Sequence, residues 1–427
     1  VTKLELPPSL WAATAAEPPA TSPLADDISV DVAVIGGGYA GLSTALHLAE
    51  AGRSVQVIEA GEIGWGASGR SGGQVIPGIK YDPDGLVKLF GEEGGRRAAE
   101  LFGSTAAKVF ELIDRHGIDC DDTRTGWAQP AHSTAAEPLA LDRCRQWKRL
   151  GADVVELTRE EMAERLGTDV YHAGWLDRRG GSVQPLSYTR GLARAALKEG
   201  AKVATRTRAT ALTPTGDRWR IGTDLGPAVT ARDVIVCTNA HSTGLWPKLE
   251  QSMIAANSFQ VATTPLASNL SATILRDGVV ASDTRRLLSY FRRDREGRFI
   301  MGGRGTFAEP RSPADYRHVE RMLTRAYPVL SDQPIEFRWG GRVAITRDFL
   351  PHLHRPADGL LILVGCQGRG VALQSKMGEW IGDYLVSGDP NRLPLPVVDI
   401  EAIPFHALRK LYVSATLAYY KFADIVS

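Results

Sequence analysis

The sequence has no long apolar run, no paired cysteines and no surplus of charge, and each absence removes a class of protein. No stretch of its 427 residues approaches the ~20 consecutive apolar residues that a membrane helix needs. Its 4 cysteines, Cys120, Cys144, Cys237 and Cys366, lie far apart without a CxxC pair, so they read as reduced thiols. Neither a disulfide framework nor a metal site is expected from them. A net charge of +1 leaves no basic surplus for nucleic-acid phosphates. The first residues lack the basic region and apolar run of a secretory signal. These absences point to a cytoplasmic protein that engages neither membrane nor nucleic acid. What is present is the composition of a globular enzyme, 43% hydrophobic and 23% charged, at a length that suits two or three domains.

Residues 1–27 are rich in Pro and Ala and read as an extended arm over the surface, with order beginning at Ile28. Val32 to Ile35 is a continuous apolar run ended by glycines, the pattern of a buried parallel strand. Leu42, Ala45, Leu46 and Ala49 recur at helical spacing up to Gly52, and Val55 to Ile58 reads as a second strand. Together they make a βαβ unit. Helices are expected over 86–116, 136–150, 159–166, 313–327 and 371–385, and over 187–200 with Ser187 opening it. Strand signals fill 123–132, 202–236 and 257–304. Two more buried runs, 233–237 and 360–364, resemble the first strand in composition. At 408–422, Leu408, Leu411, Tyr412, Ala415, Tyr419 and Phe422 recur at helical spacing. This amphipathic helix is expected to dock on the rest of the protein, because Lys410 and Lys421 are too few for a basic membrane-binding face.

The first strand runs into Gly36-Gly37-Gly38-Tyr39-Ala40-Gly41, a GxGxxG in the strand–turn–helix setting that dinucleotide binding requires. Gly36 permits the tight turn, Gly38 lets backbone approach a pyrophosphate, and Gly41 lets helix and strand pack closely. Glu59, with Ala60 after it, ends the second strand near the ~20-residue spacing of a ribose-binding acid. A carboxylate there accepts from both ribose hydroxyls and repels a 2′-phosphate. The fingerprint alone does not separate FAD from NAD. The Gly- and Ser-rich loop that follows, Gly66-Ala67-Ser68-Gly69-Arg70-Ser71-Gly72-Gly73-Gln74, favours FAD, because it can lay N–H groups and hydroxyls along a long ligand. A second glycine turn, Gly365-Cys366-Gln367-Gly368-Arg369-Gly370, leads into Val371 and Ala372. It opens a helix whose N-terminus can face negative charge on a reduced flavin.

Together these motifs resemble the D-amino-acid oxidase superfamily of FAD enzymes, which includes glycine oxidase, sarcosine oxidase and dimethylglycine dehydrogenase. The pattern is most similar to the γ-glutamylputrescine oxidoreductases. The likeness includes Pro7-Pro8-Ser9-Leu10-Trp11, the 66–74 loop, Gly181–Gln184 with Pro185-Leu186, Asn239-Ala240, and Tyr290-Phe291-Arg292. The resemblance implies an α/β, Rossmann-like FAD-binding domain and a discontinuous α+β substrate domain built on an antiparallel sheet. The segments expected are 28–85, 150–246 and 336–395 for the FAD domain, 86–149 and 247–335 for the substrate domain, and 396–427 for a helical extension. Ala209, Thr210, Thr238, Asn239, Ala240 and Trp246 would complete the lining for FAD. Gly340 to Thr346 carries no cysteine, so FAD is expected to be non-covalent and dissociable. Ile300 stands where a related branch has an oxygen-activating lysine, which leaves both O2 and another electron acceptor open.

The implied chemistry is oxidation of an amine to an imine by hydride transfer to flavin N5. It needs positioning rather than a nucleophile. His47, His352 and His354 therefore read as structural. Arg342 follows Gly340-Gly341 and precedes Thr346-Arg347-Asp348 and Pro351, and the resemblance assigns such an arginine to a substrate carboxylate. Tyr290 and Gln367, with Phe291, Trp127 and Trp246, are the remaining candidates for the pocket. The sequence leaves the amine and the oligomeric state open. An NAD-linked dehydrogenase would need a nicotinamide pocket, of which no sign appears. A non-enzymatic nucleotide-binding protein is the third alternative.

Overall fold

The computed structural model describes residues 4–426. The first three residues of the expected arm, and the side chains of Lys421 and Phe422 from the expected C-terminal stripe, lie outside what it describes. The strands Ile28–Ile35, Val55–Ile58, Val229–Val236 and Leu360–Val364, which contain the apolar runs 32–35, 234–236 and 360–364, form the centre of one eight-stranded sheet. These strands pair in parallel, Val229–Val236 beside Ile28–Ile35 and Ile28–Ile35 beside Val55–Ile58. Leu360–Val364 continues the parallel set on one side and Lys202–Ala204 on the other. Burial on both faces explains why these runs carry no polar alternation. The helices Tyr39–Glu50, Thr105–His116, Pro185–Lys198 and Gly370–Ser387 supply a shared core with this sheet through Leu42, Leu46, Leu112, Leu192 and Met377.

The second sheet also has eight strands. Its order runs from Ile335–Thr346 through Met253–Pro265, Arg298–Arg304, Tyr290–Arg293, Val280–Ser282, Trp127–Pro130 and Gly174–Asp177 to Val154–Leu157. It is antiparallel except where Val280–Ser282 runs parallel to Trp127–Pro130. The helix Arg317–Ala326 packs Val319 and Leu323 into a core with Phe259, Phe291, Phe299 and Tyr327.

Several expectations are corrected. The segments 150–246 and 336–395 do not belong wholly to the nucleotide-binding sheet. Val154–Leu157 and Gly174–Asp177 pair with each other, and Gly174–Asp177 pairs with Trp127–Pro130 in the second sheet. Ile335–Thr346 pairs there with Met253–Pro265. Sheet membership is decided by backbone partners far away in sequence, which a local apolar pattern does not record. The arm is not simply extended. Ser9 caps a short helix, Leu10–Thr14, by accepting from Ala12 N–H at 3.1 Å, and Leu10 and Trp11 are fully buried. The helix expected from Ser187 begins at Pro185, because Gln184 caps it by accepting from the Ser187 N–H at 2.7 Å. The single helix expected over 86–116 is two, Pro83–Gly103 and Thr105–His116, the first kinked where Gly91 takes φ 76°. The C-terminal helix, Arg409–Val426, is tethered through the Asp424 carboxylate, which accepts from the N–H groups of Arg286 and Leu287. Of the expected stripe, Leu408, Leu411 and Tyr419 are exposed at 53, 70 and 63%, whereas Tyr412 is half-buried. No helix among the described residues is long and apolar enough to cross a membrane.

Candidate active site at the end of the parallel strands

Parallel strands place their carboxyl ends, and the loops after them, along one edge, where open α/β sheets bind ligands. Here that edge holds a groove of about 500 Å³. Gly36, Gly38, Tyr39 and Ala40 form its floor, with Glu59 and Ala60 at one wall. Gly66, Ala67 and Ser68 also line it, as do Ala209, Thr210, Thr238, Asn239 and Ala240.

The glycines have the geometry their positions demand. Gly36 sits at φ 115°, a left-handed conformation open to glycine. A Cβ on Gly41 would lie 2.0 Å from the Gly36 carbonyl oxygen, so helix and strand touch only because none is there. Gly41 thus packs beneath the groove and does not line it. A Cβ on Gly38 would come within 2.8 Å of Ser68 Oγ. Gly38, at the N-cap of the helix Tyr39–Glu50, has no side chain to cap it; Ser68 Oγ accepts from the Tyr39 N–H at 3.1 Å, and the other first-turn amides are left for a ligand.

Glu59 is held by backbone. Its Oε2 accepts from the Gly37 N–H at 2.6 Å and Oε1 from the Gly61 N–H at 2.8 Å. Burial raises its pKa, opposed by those two N–H groups and by the nearby Arg208. Each oxygen keeps a lone pair for a hydroxyl donor. A fixed acidic acceptor, a glycine floor and the open amides of a helix N-terminus together fit the ribose and pyrophosphate of a dinucleotide.

The far end of the groove is bordered by side chains. Arg342, from Ile335–Thr346 of the second sheet, reaches its wall. The guanidinium is already paired: Nε and Nη2 donate to Glu309 Oε1 at 2.9 and 2.8 Å. His241 lies beside it, edge-on to Trp65 with ring centroids 5.3 Å apart. Burial, with Arg342 and Arg70 nearby, pushes the His241 imidazole down to about 4, so it is neutral at physiological pH. The sequence reading missed His241, Arg208 and Leu4, all of which border the groove. For His241 a signal existed, since it directly follows Thr238-Asn239-Ala240. Arg208 likewise directly precedes Ala209-Thr210, whereas Leu4 carries no such signal.

The remaining candidates sit elsewhere. The loop beyond Ser68 turns away from the groove towards the second sheet. Arg70 Nε donates to the Trp65 carbonyl, Ser71 O accepts from Trp11, and Gln74 Nε2 donates to the carbonyls of Ala281 and Phe291. Gly72 touches Tyr290: a Cβ on it would lie 2.8 Å from that ring. Gly73, at φ 69°, leaves room for the Val183 carbonyl and Arg292. Tyr290 is half-buried, and its hydroxyl meets Ser258 Oγ at 2.8 Å. Strand alternation turns its neighbour Phe291 to the opposite face, where it stacks with Tyr171 in the core.

Trp127 is buried, with Nε1 donating to Ser282 Oγ. Trp246 packs on Trp219 rather than in the groove. Gln367, at φ 51°, turns its amide away to donate to Thr346 Oγ1 at 2.6 Å and to the Leu350 carbonyl at 3.0 Å. Arg369 follows Gly368 and precedes the helix Gly370–Ser387, in which Val371 and Ala372 are buried. Its guanidinium lies over Trp127 and donates to the Pro77 carbonyl at 2.6 Å, and burial lowers its pKa to about 10. His47 and His354 bond backbone carbonyls and His352 bonds Asp348. Ile300 is buried in an apolar cluster with Trp11 and Trp339.

Comparison with known proteins agrees with this geometry. The chain is 32% identical over 425 residues to γ-glutamylputrescine oxidoreductase of Escherichia coli (strain K12), covering 97% of this chain and 98% of that protein. It is 25% identical over 374 residues to glycine oxidase of Bacillus licheniformis, covering 84% of this chain and 94% of that protein. Glycine oxidase from Geobacillus kaustophilus shares the fold with a TM-score of 0.73 at 20% identity, over 87% of this chain and 99% of that one. L-proline dehydrogenase from P. horikoshii shares it at 0.71 and 21% identity, over 87% and 98%. The family model described as FAD dependent oxidoreductase matches residues 31–384, and the chain belongs to that family.

Proposed function

We propose that this enzyme uses dissociable FAD to oxidise a primary or secondary amine to an imine, with O2 as the acceptor that restores the flavin. Water then hydrolyses the imine to an aldehyde or ketone. The preferred substrate is an amine that also carries a carboxylate, of the γ-glutamylputrescine type. The observation that carries this reading is the groove itself, which is lined both by Glu59, the ribose acceptor in this reading, and by Arg342 of the second sheet. The near full-length likeness to γ-glutamylputrescine oxidoreductase supports the substrate class.

Bound FAD supplies the two-electron acceptor for hydride from the carbon that bears the amine. The protein's own contribution is placement. Glu59 and the helix N-terminus at Gly38 hold the nucleotide end. Arg342 and Arg70 make the other end positive, which draws an acidic substrate in. Neutral His241 adds no further charge there. Glu309 already occupies the Arg342 fork. Because it is exposed, a substrate carboxylate can replace it on the same donors.

A second reading has Arg342 contacting the cofactor, and its place on the groove wall favours that. Arg342→Ala separates the two. In the substrate reading the variant loses about 2–5 kcal/mol of transition-state binding for an acidic amine and far less for the same amine amidated. Arg342→Lys recovers part of it, because a point charge lacks the fork. Equal losses for both substrates, with altered FAD retention, would leave Arg342 to the cofactor. The acceptor is tested separately by stopped-flow mixing of reduced enzyme with aerated buffer. Reoxidation slower than turnover with an artificial acceptor would make it a dehydrogenase.

A further inference from the structure

The family match begins at residue 31, so the segment before it lies outside the shared FAD-binding core. That segment does not lie loosely on the surface. Trp11 Nε1 donates to the Ser71 carbonyl at 2.8 Å, gripping the loop that lines the groove. The Trp11 ring meets Trp339 edge-on, at 5.7 Å between centroids. Trp339 Nε1 donates to the adjacent carbonyl, Arg70 O, at 3.1 Å, and Gln260 Nε2 donates to the same atom at 2.6 Å. On its other side Trp11 faces the Arg292 guanidinium, 5.5 Å from the ring, whose Nη1 donates to Val183 O beside the loop.

The arm is itself anchored. Gln184 Nε2 donates to Trp11 O at 2.9 Å, and Ser187 Oγ accepts from the Ala16 N–H at 2.9 Å. Nearer the start, Glu5 O accepts from Trp65 Nε1 at 2.8 Å and Leu4 borders the groove. Consecutive carbonyls of one glycine-rich loop are thus held by two indoles, one from the arm and one from the second sheet. A loop of this composition has high conformational entropy when free. Each donor removes some of that freedom before any ligand arrives.

We infer that Trp11 is a positioning residue for the cofactor: the arm fixes the Arg70–Ser71 backbone so that the loop is formed in advance of FAD binding. The contribution is preorganisation, and it appears in affinity rather than in contacts with the ligand. It follows by linkage that FAD also stabilises the arm.

The test uses full-length apoprotein titrated with FAD, read by quenching of flavin fluorescence. Trp11→Phe keeps the ring and its packing but removes the N–H. It is expected to raise the FAD dissociation constant roughly tenfold, the effect of one buried hydrogen bond. Trp11→Ala is expected to raise it further where the variant folds. The melting point of the Trp11→Phe apoprotein controls for general damage. Hydrogen exchange on the wild type supplies an independent arm: FAD should slow exchange at residues 9–16 as well as in the loop. A Trp11→Phe constant within twofold of wild type would overturn the proposal, and so would FAD leaving exchange at 9–16 unchanged. Neither readout depends on the substrate, so both stand whether or not an amine proves to be oxidised.

Discussion

The two eight-stranded sheets meet at one loop and hold a ligand by opposite means. On the parallel sheet the groove is made of backbone. Glycines at Gly36, Gly38 and Gly41 let strand, helix and ligand approach, and the one acidic side chain, Glu59, is fixed by two backbone N–H groups. On the antiparallel sheet the work is done by long side chains. Trp339, Gln260 and Arg292 reach 66–74 and its surroundings from strands remote in sequence. The nucleotide end depends on the close approach of backbone, whereas the loop end depends in addition on particular side-chain donors. The shared family fold can keep the first and vary the second.

The comparison breaks most sharply at a pair of glycines. Alanine within a helix is ordinarily favoured over glycine by ~1 kcal/mol. At Gly41 that sign should reverse, because the new Cβ meets the rigid Gly36 carbonyl at 2.0 Å. Gly41→Ala is expected to cost about 3 kcal/mol in denaturant unfolding and to abolish FAD retention. At Gly341 of the second sheet the added Cβ lies 3.1 Å from Arg70 Cβ, a contact relieved by a shift of only a few tenths of an ångström. Gly341→Ala should cost less than ~1 kcal/mol and keep its FAD. Comparable losses in the two variants would remove the distinction between the sheets.

The same division governs what could be read from the sequence. The glycine fingerprint, Glu59 and the buried parallel strands were legible because each needs particular residues at short spacing. The assignment of Val154–Leu157, Gly174–Asp177 and Ile335–Thr346 to the second sheet was not, because their partners lie elsewhere in the chain. Trp11 was misjudged because Pro and Ala around it suggested an extended arm. Ser9 before Leu10-Trp11 was an available cap signal that argued otherwise. The partners of Gln367 and Arg369 could not be foreseen, since a turn motif fixes the backbone and leaves the side-chain direction to the neighbours.

A middle-sized effect sharpens the comparison through pH. An imidazole held down to about 4 in the folded protein, against its ordinary 6.5, opposes folding as pH falls. The unfolded chain takes up the proton below 6.5, whereas folded His241 refuses it until about 4. Stability is thus lost across that window on acidification and does not fall further from this group below it. The apoprotein should lose up to roughly 3 kcal/mol between pH 6.5 and 4, less whatever water in the groove screens. His241→Asn, which has no charge to bury, should flatten that part of the profile. An unchanged slope would mean that burial, with the cations Arg342 and Arg70 beside it, does not hold this imidazole down.

The smallest effect concerns Tyr290, where a binding role and a packing role predict different readouts. Ser258 Oγ–H donates to the Gly303 carbonyl at 3.0 Å, which leaves the Tyr290 hydroxyl to donate to Ser258 Oγ at 2.8 Å. Removing the phenol oxygen therefore orphans no donor, since Ser258 keeps its own acceptor. The ring, which fills the space beside Gly72 and Gly302, is unchanged in Tyr290→Phe. As a packing residue, Tyr290 should cost about 1 kcal/mol of stability on this change and leave kcat/KM within twofold. As a substrate contact, it should lower kcat/KM by more than the stability loss accounts for. The effect would be greatest for amines able to hydrogen-bond the hydroxyl. Because its hydroxyl is already spent on Ser258, the packing outcome is expected. It would place specificity with the charged groups at the end of the groove, not with this strand.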